Sequence, residues 1–217
     1  VSISSNTSLN PSINMSRKSD LTYDVPASLA GAYQGKPVRL RTADPAALVD
    51  SLTEKDLENL ISLQLEDLDC DLTVFQQSGY GMPLELMVTD PETEFSKLYV
   101  FSALVESFPI RVSIPLRPGF DKAVRVAAAL HFAVKLEVGQ PEAAMIPELL
   151  KVLDFYLHSP GVTEPIEFFH SLLLACCHDQ SISLWTLQEE DPLMICHVDA
   201  QGKESFPGRL AGCSTLP

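Results

Sequence analysis

Short apolar runs alternate with helical patterns between Leu84 and Gln140. The apolar runs are LELMV (84–88), IRVSIPL (110–116) and FAVKLEV (132–138). The stretches between them, TDPETEFSKLYVFSALVESF and RPGFDKAVRVAAALH, carry apolar residues at helical spacing. This alternation is typical of right-handed crossovers in a parallel sheet. It predicts an α/β fold organised around this stretch.

Further strand candidates lie on either side of that stretch. VRLRT (38–42) places Arg39 and Arg41 on one face, which must be wet or paired with acids, so it is predicted at a sheet edge. LISLQLE (60–66) and LTVF (72–75) are also strand candidates, and SISLW (181–185) is a possible last parallel strand. The patterns predict a predominantly parallel sheet of about five to seven strands with crossover helices. A partial β/α barrel and an open layered sheet both remain possible.

Composition divides the chain into three regions. Residues 1–35 are rich in Ser, Asn and Thr, which favours a flexible or partner-docked arm. Residues 36–195 form the predicted α/β domain. Residues 196–217 form a predicted hairpin and tail, because DAQG (199–202) has good turn chemistry.

The net charge of −14 argues against a nucleic acid or an anionic membrane as the main partner. No apolar run approaches the roughly 20 residues that span a bilayer, and the first residues lack the apolar core of a signal peptide. We therefore expect a soluble, cytoplasmic protein. The 5 cysteines form no CxxC pair, which favours reduced thiols over disulfides.

Acidic residues follow several of the predicted strands. Ligands of parallel sheets gather beyond the carboxyl ends of the strands, where this chain places Asp90, Glu137 and Glu189 together with Arg117. One interpretation is binding of a cation or amine, or acid–base catalysis by paired carboxylates. The other is that Asp90 caps a helix and the remaining acids are ordinary solvated loop residues.

Lys135 is unusual because it lies inside the strand FAVKLEV. It is a candidate for Schiff-base chemistry or for electrophilic support, and alternation places it on the same face as Glu137, so an ion pair between them is the simpler expectation. The sequence has no HxH or HExxH motif and no GxSxG elbow. We therefore predict no cofactor and assign no metal ligand.

The order of elements over about residues 80–195 resembles the second half of the partial β/α barrel of radical-SAM enzymes. The resemblance rests on IRVSIPLRPGF, KAVRVAAALHFAVKLEVGQP, FFHSLL and SLWTLQEEDP, and it is greatest to peptide-maturation members with C-terminal extensions. That family binds its iron–sulfur cluster through CxxxCxxC, a spacing this chain does not contain. The resemblance thus implies either a degenerate partner protein without cluster chemistry or a fragment that lacks the cluster half, and it transfers no site residue.

These observations favour a non-catalytic accessory or binding protein that recognises a peptide or protein partner, in a setting such as peptide maturation. The alternative is a barrel-like enzyme with Asp90, Glu137, Glu189 and Lys135 as catalytic candidates and a divalent metal as a possible aid. A third hypothesis is a structural subunit of an oligomer. The sequence predicts no particular oligomeric state.

Overall fold

The chain folds around an eight-stranded, mostly parallel β-sheet with helices, which confirms the predicted α/β fold. The computed structural model describes residues 21–50, 52–78 and 81–208. The strands are β1 Thr22–Pro26, β2 Val38–Thr42, β3 Leu60–Leu65, β4 Leu84–Met87, β5 Ile110–Pro115, β6 Ala133–Glu137, β7 Ile195–Val198 and β8 Glu204–Ser205. The α-helices are α1 Pro45–Val49, α2 Glu54–Leu57, α3 Thr73–Ser78, α4 Pro91–Glu94, α5 Phe120–Ala129, α6 Ile146–His158, α7 Phe169–Cys177 and α8 Leu184–Leu187. Short 3-10 helices cover Ala27–Tyr33, Phe95–Leu104 and Ala143–Met145.

The strands run β6-β5-β4-β3-β2-β1-β7-β8 across the sheet. All neighbours pair in parallel except β7 and β8, which form an antiparallel hairpin. From β1 to β6, each strand lies beside the next one in the chain. Right-handed crossovers that always advance in the same direction place their helices on one face of the sheet. The opposite face of the sheet is therefore not covered by these helices and lines an interior space.

The two faces differ sharply in chemistry. On the helix-covered face the strands contribute fully buried aliphatic side chains such as Leu63, Leu86, Val112 and Val134, each 0% exposed. These pack against α5 and the neighbouring helical segments to form the hydrophobic core. Burial of this apolar surface is the main driving force for the fold. The opposite face carries polar residues at the alternate positions, as the period of two in a strand dictates.

Two helices begin at an Asp-Pro pair. The Asp44 side chain accepts hydrogen bonds from the backbone N–H groups of Ala46 and Ala47, with Pro45 in the first turn of α1. Asp90 accepts a hydrogen bond from the Glu92 N–H at 3.1 Å, with Pro91 opening α4. Asp followed by Pro satisfies the first free N–H groups and fixes a helical φ, which explains both starts.

Two predicted strands are helices instead. Within LTVF, the Asp71 side chain accepts from the Thr73 N–H at 2.9 Å, and α3 begins there. Within SISLW, the Ser183 hydroxyl accepts from the Thr186 N–H at 3.1 Å and starts α8. In both cases a local cap outweighs the β propensity of the apolar residues that follow.

The placement of two other strands also corrects the sequence analysis. β2 is central, not at an edge, because its arginines are paired with acids. Residues 21–35, predicted as part of an arm, include β1, which pairs with both β2 and β7 and buries Val25 completely. Residues 1–20 of that arm, and the tail from residue 209, lie outside the described residues. The predicted hairpin forms, with His197 opposite Ser205.

None of the described helices has both the length and the apolar character that crossing a bilayer requires.

Candidate functional site

A set of charged side chains occupies the polar face of the sheet and is held in place by strand register. Gln64, Glu85 and Arg111 stand side by side on β3, β4 and β5, and Ser113 stands beside Lys135 on β5 and β6. Because these positions alternate with core residues, the side chains point away from the helices. The fold therefore concentrates them in the interior.

Glu85 is the centre of this set. Its side chain is 0% exposed, and its carboxylate accepts hydrogen bonds from Ser113 Oγ at 2.6 Å, Gln64 Nε2 at 3.0 Å and Arg111 Nη2 at 3.0 Å. Lys135 Nζ lies 3.9 Å away. Burial alone would raise the pKa of Glu85, but the charges of Lys135 and Arg111 and these hydrogen bonds lower it to about 2. Glu85 is therefore a permanent anion at neutral pH.

Glu189 reaches the same face from outside the sheet, on the connection between α8 and β7. Its carboxylate accepts hydrogen bonds from Arg39 Nη2 at 2.8 Å and Arg111 Nη1 at 2.6 Å, and it lies 3.7 Å from Lys135 Nζ. Burial by itself raises the pKa of Glu189, but Lys135, Arg111 and Arg39 together hold it below its usual range. This carboxylate is ionised and neutralises several cations at once.

These contacts indicate a strongly curved sheet. Arg39 is on β2 and Lys135 is on β6, and three strands lie between them. Such strands stand about 19 Å apart in a flat sheet. Both side chains nevertheless approach one carboxylate, which requires the sheet to curl around its polar face, as in an incomplete barrel.

A second ion-pair group joins β1, β2 and β7. Arg41 donates to Asp24 Oδ1 at 2.7 Å and to the Val198 carbonyl at 2.6 Å. His197 Nδ1 lies 3.1 Å from Asp24 Oδ2, and His197 Nε2 lies 3.5 Å from Arg41 Nη2. The contacts among Asp24, Arg41 and His197 therefore hold β7 against β1.

A cavity of about 400 Å³ opens at the carboxyl ends of the strands. Its walls carry charged side chains, and Met87, Ile195 and Phe206 add apolar surface. Glu137 and Glu190 also line it, and neither side chain has a hydrogen-bond or ion-pair partner among the described residues. The cavity thus presents two carboxylates that form no ion pair with a described residue.

Those carboxylates influence each other. Desolvation raises the pKa of Glu137, Lys135 opposes this, and the negative charges of Glu85 and Glu190 add to the rise. The Glu190 carboxylate packs against Gly208, where a Cβ would collide with it. A positive charge entering the cavity would relieve the repulsion between Glu137 and Glu190.

The structure brings together most of the residues predicted from the sequence. Lys135, Glu137 and Glu189 line the same cavity. The ion pairs of Lys135 within the described part of the chain are with Glu85 and Glu189, so the expected pair with Glu137 is not formed. Asp90 lies elsewhere, as the cap of α4.

Arg117, predicted as electrophilic support, is also outside the cavity. Its Nη1 donates to the Thr89 carbonyl at 3.1 Å near the start of α4. It stabilises a loop, and its charge is near enough to Glu137 to oppose the rise of that pKa.

Sequence reasoning missed Glu85, Arg111, Asp24 and His197. Glu85 was hidden within a short apolar strand, although alternation in LELMV separates it from Leu84 and Leu86. The sequence contained one usable signal of this site: an acid and a base occupy matching positions of two neighbouring parallel strands. The His197 partners Asp24 and Arg41 lie 173 and 156 residues away, separations that no local pattern reveals.

No group of three or more His, Cys, Asp or Glu side chains within residues 21–50, 52–78 and 81–208 is placed to hold a metal ion. No protein-family model matches the chain, and no curated protein or solved structure shows significant similarity to it.

Proposed function

We propose that the protein is a binding module that recognises a positively charged group of a peptide or protein partner in the cavity at the carboxyl ends of its strands. The observation that carries this proposal is the state of Glu137 and Glu190. Both line the cavity, and neither has a partner among the residues that the structure describes. A lysine side chain, an arginine side chain or a free amino terminus supplies the missing charge.

The neighbouring cations do not compete for this role. Arg39, Arg41, Arg111 and Lys135 each have an acidic partner already, in Glu189, Asp24 or Glu85. Glu137 and Glu190 are consequently the acids of the cavity that have no ion pair with a described residue and can take up a charged ligand. The net charge of −14 attracts a cationic partner over long distances and accelerates its association.

The apolar part of the cavity supports a peptide over a bare ion. Met87, Ile195, Phe206 and Pro207 offer surface that fits the methylene stem of a long side chain, while the carboxylates meet its charged head. Binding sites commonly combine mostly apolar walls with a few placed polar groups. The resemblance to peptide-maturation enzymes also favours a peptide as the partner.

Calorimetry with short synthetic peptides tests the proposal. Peptides with one lysine or arginine should bind, and the same peptides with glutamate in its place should not. The double variant E137Q/E190Q should weaken binding of the cationic peptide at least about tenfold. The double variant E106Q/E142Q is a matched control, because it removes the same charge from exposed positions away from the cavity.

Equal losses in the two double variants would show that only overall charge matters, and the proposed site would be wrong. Absence of binding to every cationic peptide would also refute it.

A second function is favoured by the raised pKa of Glu137. A carboxyl group of this kind, close to Lys135 and Glu189, is suited to general acid–base catalysis. Titration with divalent metals, followed by thermal unfolding, distinguishes a metal-assisted enzyme from a binding module. An increase of several degrees at saturating metal would favour the enzyme.

A further inference from the structure

Arg39 depends on a single acid for its neutralisation, and that acid comes from outside the sheet. Its side chain is 14% exposed, and its ion pair among the described residues is with Glu189 at 2.8 Å. Its Nε is buried and has no hydrogen-bond partner among the residues that the structure describes. Without Glu189, a strand-borne guanidinium would face the interior with no counter-charge. Such an arrangement is costly unless some anion is always present.

Arg111 and Lys135 converge on the same point. Arg111 Nη1 is 2.6 Å from Glu189 Oε1, and Lys135 Nζ is 3.7 Å from Glu189 Oε2. Arg39, Arg111 and Lys135 all stand on strands of the central sheet, so their positions are fixed by backbone pairing. We call these three residues the cation cradle. It is built by the rigid part of the fold around one carboxylate.

The segment that delivers this carboxylate is only lightly attached to the sheet. The backbone N–H groups of Gln188, Glu189 and Glu190 donate to the carbonyls of residues 184–186, all within the segment itself. Apart from the bonds that Glu189 accepts from Arg39 and Arg111, its one described side-chain hydrogen bond toward the sheet is from Gln188 Nε2 to the Gly139 carbonyl, at 2.9 Å. Residues 188–190 can therefore move away without breaking any hydrogen bond of the sheet.

We propose that the cation cradle is a binding site for an oxyanion of a ligand, a carboxylate or a phosphate group, and that Glu189 is an internal substitute which the ligand displaces. The proposal goes beyond recognition of a cation at Glu137 and Glu190 and does not depend on it. Two guanidinium groups and one ammonium group match the chemistry of either oxyanion, since Arg binds both in a bidentate manner.

An internal competitor has a defined thermodynamic effect. The apparent affinity for an outside anion is reduced by the fraction of molecules in which Glu189 has left the cradle. Removal of the Glu189 charge eliminates this competition. The affinity for small oxyanions should consequently rise when Glu189 is replaced, the opposite of what is expected for a residue that contacts the ligand.

The single tryptophan of the chain, Trp185, provides a direct probe of displacement. The Glu190 N–H donates to its carbonyl at 2.9 Å, so Trp185 moves with the segment. Sodium acetate and inorganic phosphate are titrated into the wild-type protein at constant ionic strength, with chloride as the reference anion. A saturable change in Trp185 fluorescence with acetate or phosphate, absent with chloride, is the expected result.

Calorimetry on E189Q and E189A provides the second measurement. Both should bind acetate or phosphate at least about tenfold more tightly than the wild type. E189Q keeps the shape of the side chain and guards against loss of folding in E189A. The control E142Q removes an exposed acid and should leave anion affinity unchanged.

Stronger binding of acetate assigns a carboxylate ligand, and stronger binding of phosphate assigns a phosphorylated one. No saturable fluorescence change in the wild type, or no gain of affinity in the folded Glu189 variants over E142Q, overturns the proposal. Because the probes are anions, this failure is distinct from failure to bind cationic peptides.

Discussion

Glu85 and Arg111 occupy adjacent register positions on β4 and β5, and an ion pair of 3.0 Å joins their side chains. Glu85 is completely buried, whereas Arg111 is 24% exposed and extends from Glu85 to Glu189. The attraction of these two acids outweighs the effect of desolvation and raises the pKa of Arg111. A fixed pair at the centre of the sheet thus anchors the charges around it.

Glu85→Gln should destabilise the protein strongly. Gln keeps the shape of the side chain, but it removes the fully buried carboxylate that pairs with Arg111 and Lys135 and leaves them only Glu189, and breaking a buried pair costs about 3–5 kcal/mol. Urea unfolding at neutral pH measures the free energy. Glu106→Gln at an exposed position should change it by less than about 0.5 kcal/mol. A loss below about 1 kcal/mol in Glu85→Gln would contradict this account.

Acid should remove the stability that Glu85 contributes. The pKa of Glu85 is about 2 in the folded protein against a reference of 4.5, so its contribution is complete above the reference value and is lost as the pH falls toward the folded value. The shift corresponds to about 3 kcal/mol. Unfolding free energies measured at a series of pH values should fall less steeply across this window in Glu85→Gln. Parallel curves for the two proteins would disprove the assignment.

Glu137→Gln should stabilise the protein at neutral pH while weakening its proposed ligand binding. Desolvation raises the pKa of Glu137, so the wild type loses stability as the pH rises through the folded pKa and Glu137 ionises. Gln carries no such penalty. We expect a melting temperature about 1–3 °C higher at pH 7 and no difference in acid, where Glu137 is protonated. A lower melting temperature at neutral pH would indicate an unrecognised partner.

Asp90→Ala should affect stability and not binding. Asp90 accepts from the Glu92 N–H at 3.1 Å and from Thr93 Oγ1 at 2.9 Å, and loss of such a cap costs about 1 kcal/mol. Asp90→Asn, which keeps an acceptor, should cost less. Thermal unfolding and peptide calorimetry of the same samples separate the two effects. A large loss of binding in a folded Asp90→Ala protein would restore Asp90 as a functional residue.

Gly119→Ala should be far more harmful than Gly35→Ala. Both glycines have positive φ, +83° and +76°. A Cβ at Gly119 would lie 2.6 Å from the Glu92 Cα and 2.8 Å from its backbone N, whereas nothing lies within 4 Å at Gly35. We expect about 1 kcal/mol for Gly35→Ala from backbone strain alone, and more than about 2 kcal/mol for Gly119→Ala. Similar losses measured by urea unfolding would mean that α4 and α5 separate without cost.

Sequence patterns predicted the parallel sheet because β4, β5 and β6 are apolar runs separated by stretches with helical spacing. Alternation alone also placed Lys135 and Glu137 on one face. The patterns failed at LTVF and SISLW, where single side-chain caps at Asp71 and Ser183 decide for a helix. The stabilisation that a single cap provides is easily overlooked in a sequence with a strong β propensity.

The ion pairs of the site were less accessible to prediction. The partner of Arg39 is 150 residues away and that of Arg41 is 17 residues away, and both pairs depend on how the strands are ordered. Once the order is known, the pair of Glu85 with Arg111 follows from register, whereas the pair of Arg39 also requires the connection that carries Glu189. Before it is known, an arginine in a strand is most simply assigned to an edge, which is where β2 was wrongly placed.

The pairing of β1 with β7 has a consequence for synthesis on the ribosome. Strands β1 to β6 meet their neighbours in chain order, so they can assemble while the chain is still emerging. The far side of β1 has no partner until Ile195 has been made and released. An unpaired edge is a template for association with other chains. Slow translation or truncation before β7 should therefore expose nascent chains to aggregation and make them targets for chaperones.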